Sequence, residues 1–313
     1  MDNRIIFLGG SPRSGTTLVQ NMLDSHPDIL GGPEFLHLPD VLALRQKLQV
    51  SVNKGWINLI CSSDMVDAQI RAFIDNIFLS FADAHSAKYV SEKTPENVLV
   101  FEGLLDLYPS AKFIHIVRDP RAIVASLLAV GNKARSNDQI PATHTENVIS
   151  AIEYVKKCLK AGFRAAEKCP EQVHTVLYEK LVCDPESESE KLCKFLELDV
   201  DEAMLKPGEK SHLGEAAITV NSGQIWFDKN SYNSNPNTAS LEKWKNQLSA
   251  HEQLIVRQQF SGMKELVALG YCFDEDDRGS EFSAGAKITA AIVVLRAKIS
   301  SKFSRQVRKR VNV

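Results

Sequence analysis

Two hydrophobic periods alternate along the chain, and the points where one gives way to the other mark its elements. Arg4-Ile5-Ile6-Phe7-Leu8-Gly9-Gly10 is an apolar run of strand length ending in glycines, and after Ser11–Thr17 the residues Leu18, Val19, Met22 and Leu23 take up a helical period. The head of the chain therefore reads strand, loop, helix. Pro27 disfavours helix at His26, so Asp24–Asp28 is a turn and Ile29–Glu34 a short second strand with its loop. Residues 40–85 read as helices carrying Ile70, Phe73, Ile74, Ile77, Phe78 and Phe81 on one face. Lys88–Pro95 is a short strand running into a loop, and Phe113–Val117 a buried strand whose following helix opens at Pro120. The polar stretch 131–145, with Gly131, Asn132 and Pro141, predicts a loop. A helix follows over Asn147–Lys168, with Val148, Ile152, Val155, Leu159 and Phe163 on one face. Beyond it come a strand and turn at Val173–Leu181 and a helix at Glu188–Leu196. Asp199–Ala239 predicts an irregular cover segment, and Ser240-Leu241-Glu242-Lys243-Trp244 starts another helix. Strands alternating with helices predict an α/β fold, a central and mostly parallel sheet flanked by helices in three layers.

Composition changes this picture in few places. With 313 residues, 44% of them hydrophobic, the chain is long enough for one large α/β domain with insertions, expected over residues 1–280, ahead of a distinct segment at 281–313. A net charge of −2 gives no global case for nucleic acid or an acidic substrate as partner. That average hides a basic tail. Nothing after Glu281 is acidic, whereas Lys287, Arg296, Lys298, Lys302, Arg305, Arg308, Lys309 and Arg310 follow it, and Ile288, Ile292, Leu295, Ile299 and Phe303 recur at helical spacing. Such a basic amphipathic helix suits a membrane surface, an anionic partner, its own domain or another subunit, and the sequence leaves these open. The six cysteines (Cys61, Cys158, Cys169, Cys183, Cys193 and Cys272) form no C-x-x-C pair and no cluster at zinc-ligand spacing, so they read as reduced, buried thiols and no metal is expected. The first ten residues open with a strand rather than a charged n-region, and no stretch approaches the roughly 20 apolar residues of a membrane span. No signal peptide is expected, and a cytoplasmic location follows as an expectation.

The candidate chemistry begins in the first loop, Ser11-Pro12-Arg13-Ser14-Gly15-Thr16-Thr17. Between a buried strand and a helix, such a loop aims backbone N–H groups and the positive end of the helix dipole at one anion, and a bound phosphate is the expected occupant. Gly10 and Gly15 keep the spacing of a Walker A motif, but Thr16 stands where that motif needs its lysine, which equips the chain poorly for ATP hydrolysis; the cation in the loop is Arg13. A second signal is Lys112–Arg121. Arg118 leaves the carboxyl end of a strand and Ser126 lies two turns into the next helix, a bidentate fork and a neutral donor suited to a fixed dianion. Pairing of Arg118 with Asp119 is the bland alternative, and Arg121 reads equally well as a second phosphate contact or a solvated charge. Two phosphate signals at strand-to-helix turns fit a nucleotide with a 3′-phosphate better than ATP.

Pro12-Arg13-Ser14-Gly15-Thr16-Thr17 after a buried strand, with Arg118 and Ser126 eight residues apart, resembles the P-loop-like sulfotransferases that use 3′-phosphoadenosine 5′-phosphosulfate (PAPS). Leu23–Asp28, Glu92-Lys93-Thr94-Pro95, Tyr178-Glu179-Lys180-Leu181 and Leu241–Trp244 are closest in pattern to the tyrosylprotein sulfotransferases and their bacterial relatives. The resemblance implies Glu34 as general base, with His37 next in line. It implies Arg13, Lys93 and Lys243 as charge stabilisers around the sulfuryl group, and Tyr178 and Ser231 (or Ser234) beside the nucleotide. It also gives the helices near 40–85 a part in an acceptor pocket. Read without it, Glu34 caps a helix starting near Leu36, and Lys93 and Lys243 are ordinary charges. The reaction implied is in-line sulfuryl transfer to a hydroxyl or amine of a protein tyrosine, a sugar or a small molecule. The rival readings are a nucleotide or small-molecule kinase and a non-catalytic nucleotide-binding scaffold.

Overall fold

The computed structural model describes residues 4–214, 225–226, 234–273 and 282–311, with residues 300–311 as backbone only. Packing divides the chain into two units, residues 1–118 with 156–238 and residues 119–155 with 239–313.

The first unit is built on five parallel strands: β1 (Ile5–Gly10), β2 (Ile29–Gly31), β3 (Tyr89–Lys93), β4 (Lys112–Val117) and β5 (Val173–Leu177), in the order β2-β3-β1-β4-β5. β1 is central and buried along its whole length, which is why its sequence is a continuous apolar run rather than an alternation. Its side chains still alternate between two faces. Ile6 and Leu8 join Ile114 and Ile116 of β4 in a core with Val19, Met22 and Leu23 of α1 (Thr16–Asp24). On the other face Phe7 stacks on Phe113 at 5.2 Å and meets Tyr108 at 5.3 Å. From β1 the chain goes to β2 and β3 on one side, then crosses to β4 and β5 on the other. Open parallel sheets bind ligands at the carboxyl ends of strands where the winding reverses in this way.

Helices α2 (Leu38–Asn53) and α3 (Ser63–Ala84) form the expected helical stretch; Ile70, Ile74 and Phe78 are buried, while Phe73 of the expected apolar face is exposed. β4 also carries a polar core residue. His115 lies opposite Gly9 in register and is fully buried, its ring packed so closely on Gly162 that a Cβ there would come within 2.2 Å. Burial pushes its pKa down to about 3. The last strand ends at Leu177, and Tyr178 begins a helical turn. After α4 (Phe101–Leu107), α5 (Pro120–Ser136) and α6 (Val148–Lys168), that turn is α7 (Tyr178–Cys183), and α8 (Pro185–Leu196) follows it.

The second unit is helical in its described residues. α5 runs through residues 131–136, where a loop was expected: Gly131 is there for packing, since a Cβ would come within 2.0 Å of the Thr145 carbonyl oxygen. α9 (Trp244–Gln247), α10 (Ala250–Phe260), α11 (Lys264–Ala268) and α12 (Ala284–Val311) complete it, with Ile123, Val124, Trp244, Ile255, Val256, Phe260 and Phe273 buried. Ser249 and Glu252 close a capping box at the start of α10, which sets that helix apart from α9. All six thiols are free; Cys158 and Cys193 are buried, but Cys183 and Cys272 are exposed, against the expectation of six buried thiols.

Candidate active site

The loop after β1 takes its shape from backbone conformations that few residues adopt. Gly15, the N-cap of α1, has φ 102° and Arg13 has φ 72°. A Cβ at position 15 would lie 2.3 Å from the Tyr178 ring, so dihedral and space both demand glycine. Among the described residues no side chain caps α1, and the first N–H groups of a helix have no partner within it. Ser14 is fully buried, and its Oγ has no hydrogen-bond partner among the described residues. An open helix N-terminus and a buried, unmatched hydroxyl fit the phosphate that the loop predicts.

Arg118, at the end of β4, reaches the same loop. Its Nη1 donates to the Arg13 carbonyl oxygen at 3.2 Å, and its guanidinium stacks 4.1 Å from the centre of the Tyr178 ring, which also touches Gly15. The Arg13 guanidinium donates to the Trp226 carbonyl oxygen at 2.7 Å. The Asp119 carboxylate receives Arg121 in a bidentate bridge at 2.8–3.0 Å, and Arg121 also stacks over Trp244 and Phe273. Arg121 is thus a structural cation of the second unit.

Lys93 ends β3 and is 3% exposed, so it is no surface charge. Its Nζ lies 2.5 Å from Glu34 Oε1 and 3.4 Å from Thr17 Oγ1, which brings a carboxylate, an ammonium and the phosphate loop together. Among the described residues Glu34 caps no helix. α2 begins at Leu38 with His37 as its N-cap, and His37 is exposed and paired with Asp40 at 3.3 Å.

What holds the Glu34 segment is Glu92, which sequence reasoning did not single out. It is 2% exposed and accepts hydrogen bonds from Phe35 N at 3.3 Å, Thr94 Oγ1 at 2.7 Å and Asn97 Nδ2, while Thr94 Oγ1 accepts from Leu36 N at 3.2 Å. Asn97 Nδ2 also donates to Leu8 of β1 at 3.1 Å. Burial raises the pKa of the Glu92 carboxyl, opposed by the hydrogen bonds from Thr94, Asn97 and Phe35 and by the charge of Lys93. The only signal available in the sequence was a carboxylate inside an otherwise buried strand.

Glu34 and the phosphate loop border a cavity of about 620 Å³. Pro12, Arg13, Thr16 and Thr17 line it from the loop, with Glu34 and Glu96 as its carboxylates; Leu36, Pro39, Pro95, Leu99 and Trp226 make the remaining lining largely apolar. Ser126 and Lys243 belong to the second unit, Ser126 half-buried on α5 and Lys243 exposed before α9. Ser231 lies outside the described residues, and Ser234 is half-buried.

Known proteins resemble this chain in sequence and in fold. A model of the Sulfotransferase family matches residues 5–202, from β1 through the whole sheet and past α8. A putative protein-tyrosine sulfotransferase of Caenorhabditis briggsae is 28% identical over 242 residues, 77% of this chain and 80% of that protein. Protein-tyrosine sulfotransferase 1 of Danio rerio is 31% identical over 214 residues, 65% of this chain but 56% of that protein, so this chain spans little more than half of its length. The sulfotransferase domain of a Synechococcus olefin synthase has the same fold, with a TM-score of 0.54 at 24% identity over 86% of this chain and 96% of that one. With the family match covering well over half of its residues, the chain belongs to the sulfotransferase family.

Proposed function

We propose that this chain transfers a sulfuryl group from PAPS to a hydroxyl or amine acceptor, with Glu34 as general base. The observation that carries the reading is the Lys93–Glu34 pair: Lys93 Nζ lies 3.4 Å from Thr17 of the phosphate loop, and Glu34 borders the same cavity as Arg13. The loop residues Pro12–Thr17, with the Ser14 hydroxyl and the N-terminus of α1, would hold the 5′-phosphosulfate, and Arg118 on its Tyr178 platform the 3′-phosphate. Roles for Ser126, Ser231 and Lys243 rest on the family resemblance alone. Bound PAPS supplies a sulfuryl group already activated by a phosphate leaving group, and the reading needs no metal.

The chain's own residues then have separable tasks. Glu34 takes the acceptor's proton, an act worth about 10²–10⁴ in rate. Lys93 holds the Glu34 carboxylate in place and, with Arg13, offsets negative charge near the loop. Glu92 positions the segment that carries Glu34. The apolar lining from Leu36, Pro39, Pro95 and Leu99 excludes water and suits an aromatic ring. The names of the relatives favour a protein tyrosine as acceptor.

The test is transfer of labelled sulfate from PAPS to tyrosine-containing peptides. Removing one partner of a buried ion pair costs about 3–5 kcal/mol, so Glu34→Gln, which retains a partner for Lys93, is a safer probe than Glu34→Ala. Glu34→Gln is expected to lower kcat about 100-fold or more, with affinity for adenosine 3′,5′-bisphosphate changed less than about threefold. Stabilisation by Mg-ATP but not by adenosine 3′,5′-bisphosphate would instead favour a kinase, and cofactor binding without transfer to any hydroxyl or amine acceptor a scaffold.

A further inference from the structure

The C-terminal helix α12 divides its described side chains cleanly. Ala286, Ala290, Val293, Val294 and Ala297 fall on one face, with Ala290 at 2% exposure, and α12 packs against α10. The opposite face carries Ile288, Ile292, Leu295 and Ile299, exposed by 61%, 45%, 58% and 60% and spaced four, three and four residues apart. At 100° per residue, Lys287 and Lys298 flank this aliphatic stripe on one side and Arg296 on the other, and all three are exposed. From Ala284 to the last residue the sequence has eight Lys and Arg and no Asp or Glu.

An aliphatic stripe with cations along both flanks and no anions fits a surface that is anionic outside and apolar just beneath. Lys and Arg lay their stems along such a boundary while the aliphatic residues enter it. A second copy of α12 fits poorly, because a two-fold pairing of this face would set cations against cations. Among the described residues no helix is long and apolar enough to cross a membrane. We propose that α12 docks this chain in the plane of an anionic lipid membrane, its Ile288–Ile299 stripe inserted between headgroups. The proposal is independent of the sulfuryl-transfer reading.

The full chain is to be co-sedimented with vesicles of phosphatidylcholine alone and of phosphatidylcholine with about one-third phosphatidylserine. Binding to the anionic vesicles at least about tenfold tighter than to the neutral ones, weakening steeply as salt rises from about 0.05 M to about 0.5 M, is expected. Ile292→Ser with Leu295→Ser should weaken it about tenfold or more, and Arg296→Gln with Lys298→Gln by a similar factor. Both variants should retain the parent's melting temperature and its activity on a soluble acceptor. The proposal is overturned if the anionic vesicles bind no more chain than the neutral ones, or if the stripe variant binds them as the parent does. It is equally overturned if the stripe instead drives self-association without lipid, which would make it an interface between copies, or if an acidic polypeptide binds in a stripe-dependent way while vesicles do not.

Discussion

The turn after β1 and the turn after β4 share one plan, a parallel strand feeding a helix, but they treat the positive end of that helix in opposite ways. At the first, Gly15 caps α1 without a side chain and the buried Ser14 hydroxyl is unmatched among the described residues, so an incoming anion meets open donors. At the second, Asp119 caps α5 by accepting from Arg121 N at 2.8 Å, and Pro120 has no N–H to offer. The protein's own carboxylate already occupies that end. Two arginines three residues apart are divided accordingly, Arg118 turning back to the carbonyl of Arg13 and Arg121 neutralising the cap. The N-terminus of a helix that follows a strand is therefore open to an outside anion only where the N-cap lacks a charge of its own.

The sharpest way to break this contrast is to close the first turn. Gly15→Ala forces a strained positive φ and drives a methyl group into the Tyr178 ring, so affinity for adenosine 3′,5′-bisphosphate should fall by about a hundredfold or more in calorimetry; an unchanged affinity would remove the loop from the binding site. Arg118→Lys keeps the charge but loses the fork and the stacking on Tyr178, and a loss of about ten- to thirtyfold in the same measurement is expected.

The next effect concerns the strand leading into the second turn, where His115 stands opposite Gly9. Its folded pKa of about 3 lies below the ordinary 6.5, so the unfolded chain binds the proton first. The corresponding stability is complete at neutral pH and is lost progressively as pH falls from 6.5 towards 3. Denaturant melts should show His115→Leu losing about 1.5–2 kcal/mol less than the parent between about pH 6.5 and about pH 5. Equal losses in the two proteins would show that burial of this ring does not govern the acid limb. Asp119→Ala is expected to have the smallest effect, about 1 kcal/mol of stability from the lost cap, with nucleotide affinity within about twofold; a tenfold loss of affinity would mean that the second turn's cap also serves the ligand.

The parts that the sequence disclosed are those whose signal is contiguous. β1, the loop and α1 lie within about twenty residues, and β4 with Arg118 within seven, so the sheet and the family resemblance were readable. Glu92 was not, because its role exists only through Phe35, Thr94 and Asn97, and a buried carboxylate in a strand looks like any other until its donors are in place. Gly131 misled for the converse reason: a residue that punctuates local structure was chosen for a tertiary contact with Thr145. The apolar lining of the cavity comes from Leu36, Pro39, Pro95 and Leu99, residue types that carry no motif, and it becomes a wall only once the segments before α2 and after β3 come together.

Tyr178 is wedged against Gly15 while Arg118 grips the neighbouring carbonyl, so the curvature of the loop is fixed by the protein's own groups. A cradle shaped in advance loses little conformational freedom when it is filled. Ligand capture should then proceed at the pace of electrostatically guided encounter, without a slow rearrangement, and discrimination among nucleotides should be written in their residence times.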